Sequence, residues 1–161
     1  MQNKYKLPPD VRKTVIGLVQ GYKRRKKEIQ RQEDEICSPT ATKYETIQSG
    51  DDWENAERVY LPSGKGTVSS PVEVQTLALI NLHNSFDYKC NKCIDEALKE
   101  LDLSAYSMEL SDRIKATIII SCEMGRNFQF YRSGIIGVSE STFYRLRHRF
   151  LYSVAKKLGI F

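Results

Sequence analysis

Asn127–Leu158, NFQFYRSGIIGVSESTFYRLRHRFLYSVAKKL, is the stretch whose reading decides the fold. Gly137 can take the positive φ that ends one short helix and turns the chain sharply, and Ser139 can cap the helix that follows. Two helices that meet across so short a turn hold their angle only if the facing positions are apolar or small. Ser133, Ile136, Val138, Phe143 and Leu146 fall at those positions, so the spacing predicts a helix-turn-helix over about 127–158. The middle of the first helix offers Arg132 where an apolar residue is usual, and Tyr131 or Phe128 is expected to supply that packing.

The second helix is expected from about Glu140 to Lys157, with Phe150, Leu151, Val154 and Leu158 continuing its apolar side and Gly159 ending it. Its outward positions carry Glu140, Ser141, Thr142, Tyr144, Arg145, His148 and Arg149. Short hydrogen-bonding side chains at the helix start, with guanidinium groups further along, suit a face that reads a DNA groove. Ser141, Thr142, Tyr144 and Arg145 are the expected contacts at or near bases. Arg126, Arg132, Arg147, His148 and Arg149 are the expected contacts to the backbone or rim. For each of them a solvated polar surface is the alternative.

The segment GIIGVSESTFYRLRHRF (134–150), followed by VAKKLGI (154–160), resembles the C-terminal helix-turn-helix of phage-encoded late-gene transcription regulators of the ArpU and RinA type. That segment is similar in turn to the sigma-factor domain that reads the upstream promoter element. The resemblance covers roughly the last third of the chain, with a weaker likeness in GKGTVSSPVEVQTLAL (64–79), where such proteins often enter a long helix through Ser-x-Pro or Asp-Pro. It implies a DNA-binding regulator of phage or prophage origin. Spacing and composition by themselves imply a helix-turn-helix.

At 161 residues the chain suits one ordinary domain, or two small helical pieces joined by a linker. No apolar run approaches the roughly 18 residues that span a bilayer, and Met1–Asp10 lacks the apolar region of a secretory signal. A cytoplasmic location without membrane association is therefore expected. Cys37, Cys90, Cys93 and Cys122 lack the dense regular spacing of a disulfide framework and are expected as free thiols. The formal charge of +5 divides unevenly. Residues 1–36 hold ten Lys/Arg against five acids, residues 37–124 eight against fourteen, and residues 125–161 seven against one. Positive potential at both ends, one of them coinciding with the helix-turn-helix, favours a polyanion partner.

From the N-terminus, Pro8-Pro9-Asp10 reads as a helix start. Val11, Val15, Leu18, Val19, Tyr22 and Ile29 then recur at helical spacing, which predicts one helix over about Pro9–Ile36. Gly17 and Gly21 weaken it by about 1 kcal/mol each relative to Ala, and they allow close packing of another helix. The run Lys23, Arg24, Arg25, Lys26, Lys27 reads as a solvated helix face, as a second DNA patch contacting phosphates, or as a site for a partner protein. Residues 37–70 read as a linker or loosely structured insertion in which Trp53, Val59, Tyr60 and Leu61 could form a short docked helix. The string SGKGT within it lacks the first glycine of a phosphate loop, and no nucleotide site is expected.

Ser70-Pro71-Val72-Glu73 is a capping box that opens a helix running to about Leu101, with Leu79, Leu82, Phe86, Cys90, Cys93, Ala97 and Leu101 as its apolar stripe. Cys90-x-x-Cys93 with His83 nearby could be half of a zinc site, but a second ligand pair is absent, and two small core residues is the preferred reading. A further helix over about Met108–Met124 carries Leu110, Ile114, Ile118, Ile119 and Cys122, and Gly125 is its C-cap.

These elements predict an all-α helical bundle: a basic N-terminal helix (1–36), the insertion (37–70) and a helical domain (71–161) ending in the helix-turn-helix. With no paired catalytic carboxylates, no nucleophile beside a placed base and no metal cluster, neither an enzyme nor a cofactor is expected. The first function class is a sequence-specific transcription regulator whose partner is double-stranded DNA, with host RNA polymerase as a second candidate partner through the acidic middle. A small-terminase-like DNA-recognition subunit for phage packaging is the alternative, and a non-DNA interaction module is the third. An oligomer is compatible with all three.

Overall fold

The computed structural model of the chain describes residues 5–38 and 71–161. The capping serine Ser70 and the apolar group around Trp53 therefore lie outside the described residues. Among the described residues, every regular element is helical: α1 (Pro9–Gln20), α2 (Tyr22–Cys37), α3 (Pro71–Asn84), α4 (Phe86–Lys99), α5 (Met108–Met124) and α6 (Glu140–Lys157). The all-helical class is the one expected, and α5 and α6 run over the expected residues. None of the described helices is long and apolar enough to cross a membrane.

The single N-terminal helix expected over Pro9–Ile36 is divided at Gly21, and Arg25 accounts for the break. Its guanidinium folds back over Gly21 to donate to the Leu18 carbonyl at 2.5 Å, taking up an acceptor that a helix interior would offer to an amide four residues on. Nε of the same side chain donates to Asn91 Oδ1 of α4 at 3.0 Å. A Cβ at position 21 would displace the guanidinium from this place, which glycine leaves open.

The five cations of Lys23–Lys27, read as a solvated face, a second DNA patch or a partner site, do not share one environment. The Arg25 side chain is only 11% exposed and serves the fold. Lys23 pairs with Glu123 at 2.8 Å, and Lys26 donates to the Tyr22 hydroxyl at 3.0 Å. Arg24 and Lys27 are exposed and without an ion pair among the described residues. Arg25→Gln is expected to lower stability by about 1–3 kcal/mol, through lost charge-assisted hydrogen bonds, whereas Lys27→Gln should leave it unchanged. Thermal unfolding of the two variants checks this.

The long helix expected from Pro71 to Leu101 is likewise two. Ser85 is extended (φ −62°, ψ 151°), and its hydroxyl accepts from the Tyr88 amide, so that it ends α3 and caps α4. Opposite, Tyr22 donates to Asp95 at 2.5 Å, Arg25 reaches Asn91, and Glu33 meets His83 at 3.2 Å. Partner numbers fall as α2 advances, so α2 runs antiparallel to the α3–α4 track. Cys90, Ala97 and Leu101 are buried as the stripe requires, with Ile94 beside them, while Cys93 is half-buried and Phe86 is exposed.

One core unites α1, α4, α5 and α6, with Tyr22 of α2 at its edge. Ile114, Ile118, Ile119 and Cys122 of α5 meet Phe143, Phe150, Leu151 and Val154 of α6, with Val15 and Val19 of α1 and Ile94 and Ala97 of α4 closing the sides. α1 packs against α5 and α6, and α4 against α2 and α6, so the N-terminal helices share this core.

The segment before α6 differs from expectation. Where the first helix of the pair was expected, the chain makes two 3-10 turns, Gly125–Asn127 and Phe130–Arg132. The reason lies in Phe128 and Phe130. Both rings pack on Phe143, with centroids 5.6 and 5.1 Å away. Residues two apart face different sides of a helix but can both reach one neighbour when the backbone between them is extended, as it is at Gln129 (φ −122°, ψ 111°). Gly134 and Gly137, at φ +67° and +91°, then complete the turn into α6. Of the two aromatics expected to replace an apolar residue at 132, Phe128 packs inward and Tyr131 stays 75% exposed. Ile135, not Ile136, takes the buried place.

Candidate nucleic-acid interface

α6 opens on Ser139, whose hydroxyl accepts from the Thr142 amide at 3.2 Å and donates to Thr142 Oγ1 at 2.9 Å. Ser141 lies 3.1 Å away, hydroxyl to hydroxyl. The helix start therefore displays a connected set of hydroxyls, with Ser141 exposed and Thr142 half-buried. Arg145 follows one turn later, exposed and free of ion pairs among the described residues. Arg149, Tyr152 and Lys156 continue at spacings of four, three and four, so one side of α6 carries Ser141, Arg145, Arg149, Tyr152 and Lys156 in line.

The neighbouring sides are occupied. Lys157 pairs with Glu96 of α4 and with Glu100 just beyond it, at 3.3 and 2.7 Å, and Ser153 donates to Glu100 at 2.8 Å. On the stripe itself, the half-buried Tyr152 ring meets Tyr5 and Phe161 edge-on at 5.6 and 5.5 Å. These contacts fix the roll of α6 about its axis, and with it the direction in which the basic stripe points.

Two residues expected on this face sit elsewhere. Arg147 is only 8% exposed, turned toward α5 against the Cys122 thiol, and its Nε has no hydrogen-bond partner. It is a buried cation and not a rim contact. Tyr144 is half-buried and packs its ring edge against Phe143 at 5.6 Å, leaving less of it for a base. Arg126 and Arg132 are exposed on the 3-10 turns, Arg132 lying over the Tyr131 ring at 5.7 Å.

The structure adds Lys156, at the far end of the stripe, and Arg12 of α1, which is half-buried near His148. Burial, with Arg12 and Arg147 close by, pushes the half-buried His148 imidazole below its usual pKa. A histidine depressed in the folded state costs the free protein stability as pH falls through about 6.5, its ordinary value, and costs nothing above it. A polyanion bound there would offset the two guanidinium groups and raise that pKa, so that binding would take up a proton. Duplex affinity is expected to strengthen as pH falls through about 6.5, by at most about tenfold per unit, and to be insensitive to this group well above that value. His148→Gln should remove that component in a fluorescence-anisotropy titration.

The four thiols are free. Cys90 and Cys122 are buried, and burial holds the Cys90, Cys93 and Cys122 thiols above their usual pKa. His83 is engaged with Glu33 and stacks on Tyr88 at 4.3 Å. Among the described residues no group of three His, Cys, Asp or Glu side chains is gathered for a metal. No protein-family model, curated protein or solved structure matches the chain.

Proposed function

We propose that this chain is a sequence-specific DNA-binding transcriptional regulator of phage or prophage genes that lays the N-terminal half of α6 in the major groove. The observation that carries this is the line Ser141, Arg145, Arg149, Lys156 along one side of a helix whose opposite side is buried. Hydroxyls at the start of such a helix reach base edges, and guanidinium groups beyond them fix register on phosphates. The charge distribution supports it, since seven Lys/Arg against one acid in residues 125–161 give a field that draws in a polyanion. So does the resemblance of residues 134–150 to the ArpU and RinA regulators. On this reading host RNA polymerase is the candidate protein partner, drawn by the excess of acids in residues 37–124.

Genome-wide footprinting in the host tests the proposal. Sites clustered immediately upstream of phage promoters are the expected result. A single occupied region at a packaging site would reassign the chain to DNA packaging, and an empty footprint would refute DNA binding.

A further inference from the structure

Ile136 is 86% exposed, more than any other large hydrophobic residue described. It stands at the tip of a turn between Gly134 and Gly137, both at positive φ, while its neighbour Ile135 is buried. The backbone thus sends one isoleucine of the pair into the core and the other outward. A Cβ at Gly137 would meet Leu110 of α5 at 3.8 Å, so the turn is seated against α5 and the tip is held in place. Arg113 adds to this by donating to the Gly134 carbonyl at 3.4 Å.

The tip lies three residues before Ser139, the cap of α6, within about 10 Å of it even for a fully extended chain. A residue so near the N-terminus of a helix that enters the major groove reaches the groove with it. Arg113, which reaches the Gly134 carbonyl, is exposed beside the turn, and Arg132 and Arg145 are exposed four and nine residues from the tip along the chain. The major groove offers one apolar feature, the C5 methyl of thymine, and the minor groove offers none.

We infer that Ile136 is a specificity-determining residue that packs against a thymine C5 methyl group in the major groove, beside the bases read by α6. The inference rests on the proposed DNA binding and adds a base identity to it. Arg145 and the hydroxyls of Ser141 and Thr142 discriminate by hydrogen bonds. Ile136 discriminates by contact alone, favouring thymine over cytosine at its position, and it should accept 5-methylcytosine in place of thymine more readily than cytosine.

The test uses the full chain and a duplex recovered from a random pool by selection for binding. Each thymine is replaced in turn by deoxyuridine, which lacks only the methyl group. Wild type is expected to lose about fourfold in affinity at one thymine, the equivalent of about 0.8 kcal/mol for one buried methyl-sized group. Ile136→Ser should bind the thymine duplex as weakly as wild type binds the uracil one, and it should show no further loss on replacement. Ile136→Val should retain the sensitivity. Because the side chain is exposed, circular dichroism of both variants should match wild type. If every replacement is neutral for wild type, or if Ile136→Ser loses as much as wild type at the same thymine, the inference fails while DNA binding stands. If no duplex is recovered, both fail.

Discussion

Phe143→Asp is expected to unfold the domain and abolish DNA binding together. Phe143 is fully buried, and three rings converge on it: Phe128, Phe130 and Tyr144, at 5.6, 5.1 and 5.6 Å. Truncating a buried phenylalanine costs about 3–5 kcal/mol, and a desolvated carboxylate adds several more unless it is protonated. A domain of this size has about 5–15 kcal/mol in all. The loss falls on the contact that seats residues 128–138 against α6, so the turn and the helix start go together. Circular dichroism should show the helical signal lost or its midpoint sharply lowered, and duplex binding should vanish. Phe143→Leu should keep both. A Phe143→Asp protein with wild-type melting and binding would show that this aromatic cluster does not hold the motif.

Arg145→Ala is expected to act in the opposite way, leaving the fold intact and changing what is recognised. The side chain is exposed and makes no ion pair among the described residues, so its removal costs the folded state nothing specific. It stands six residues beyond the cap Ser139, about 9 Å along the helix at 1.5 Å per residue, within reach of a base for an arginine. A bidentate contact to guanine contributes about 1–3 kcal/mol of discrimination. Its loss should relax preference at one base pair by roughly 5- to 150-fold. Arg149→Ala provides the contrast: a phosphate contact should weaken all sequences alike and lower the salt slope by about one. Selection from a random duplex pool with each variant separates the two outcomes. Arg145→Ala with wild-type affinity and selectivity would remove that residue from the interface.

Helix identity was largely legible in the sequence, because α5 and α6 each have an apolar stripe and a terminating glycine, and α6 a capping serine, that agree with one another. What was hidden came from contacts between distant residues. Nothing near Gly21 announces that Arg25 will fold back over it, since the partner that holds the guanidinium, Asn91, is 66 residues away. The expected first helix was lost to Phe128 and Phe130, whose spacing of two is a strand-like signal inside a segment read at helical period.

In the candidate interface, period was the better guide than chemistry. The positions 143, 147, 150 and 154 share one face of a helix, and that spacing alone places Arg147 inside with Phe143, Phe150 and Val154. The same rule extends the outward line from Arg145 through Arg149 and Tyr152 to Lys156, a residue that sequence reasoning passed over. Arg12 could not have been found this way, because its place beside His148 depends on how α1 packs against α6.

Measuring duplex affinity of the full chain against salt concentration, on a selected duplex and on a scrambled one, tests the central claim most directly. Neutralising several phosphates with Arg and Lys releases counterions, so log affinity should fall linearly with log salt with a slope of several units on both duplexes. The selected duplex should bind more tightly at every salt concentration. Salt-independent binding, or equal affinity for the two duplexes throughout, would contradict a groove-reading α6.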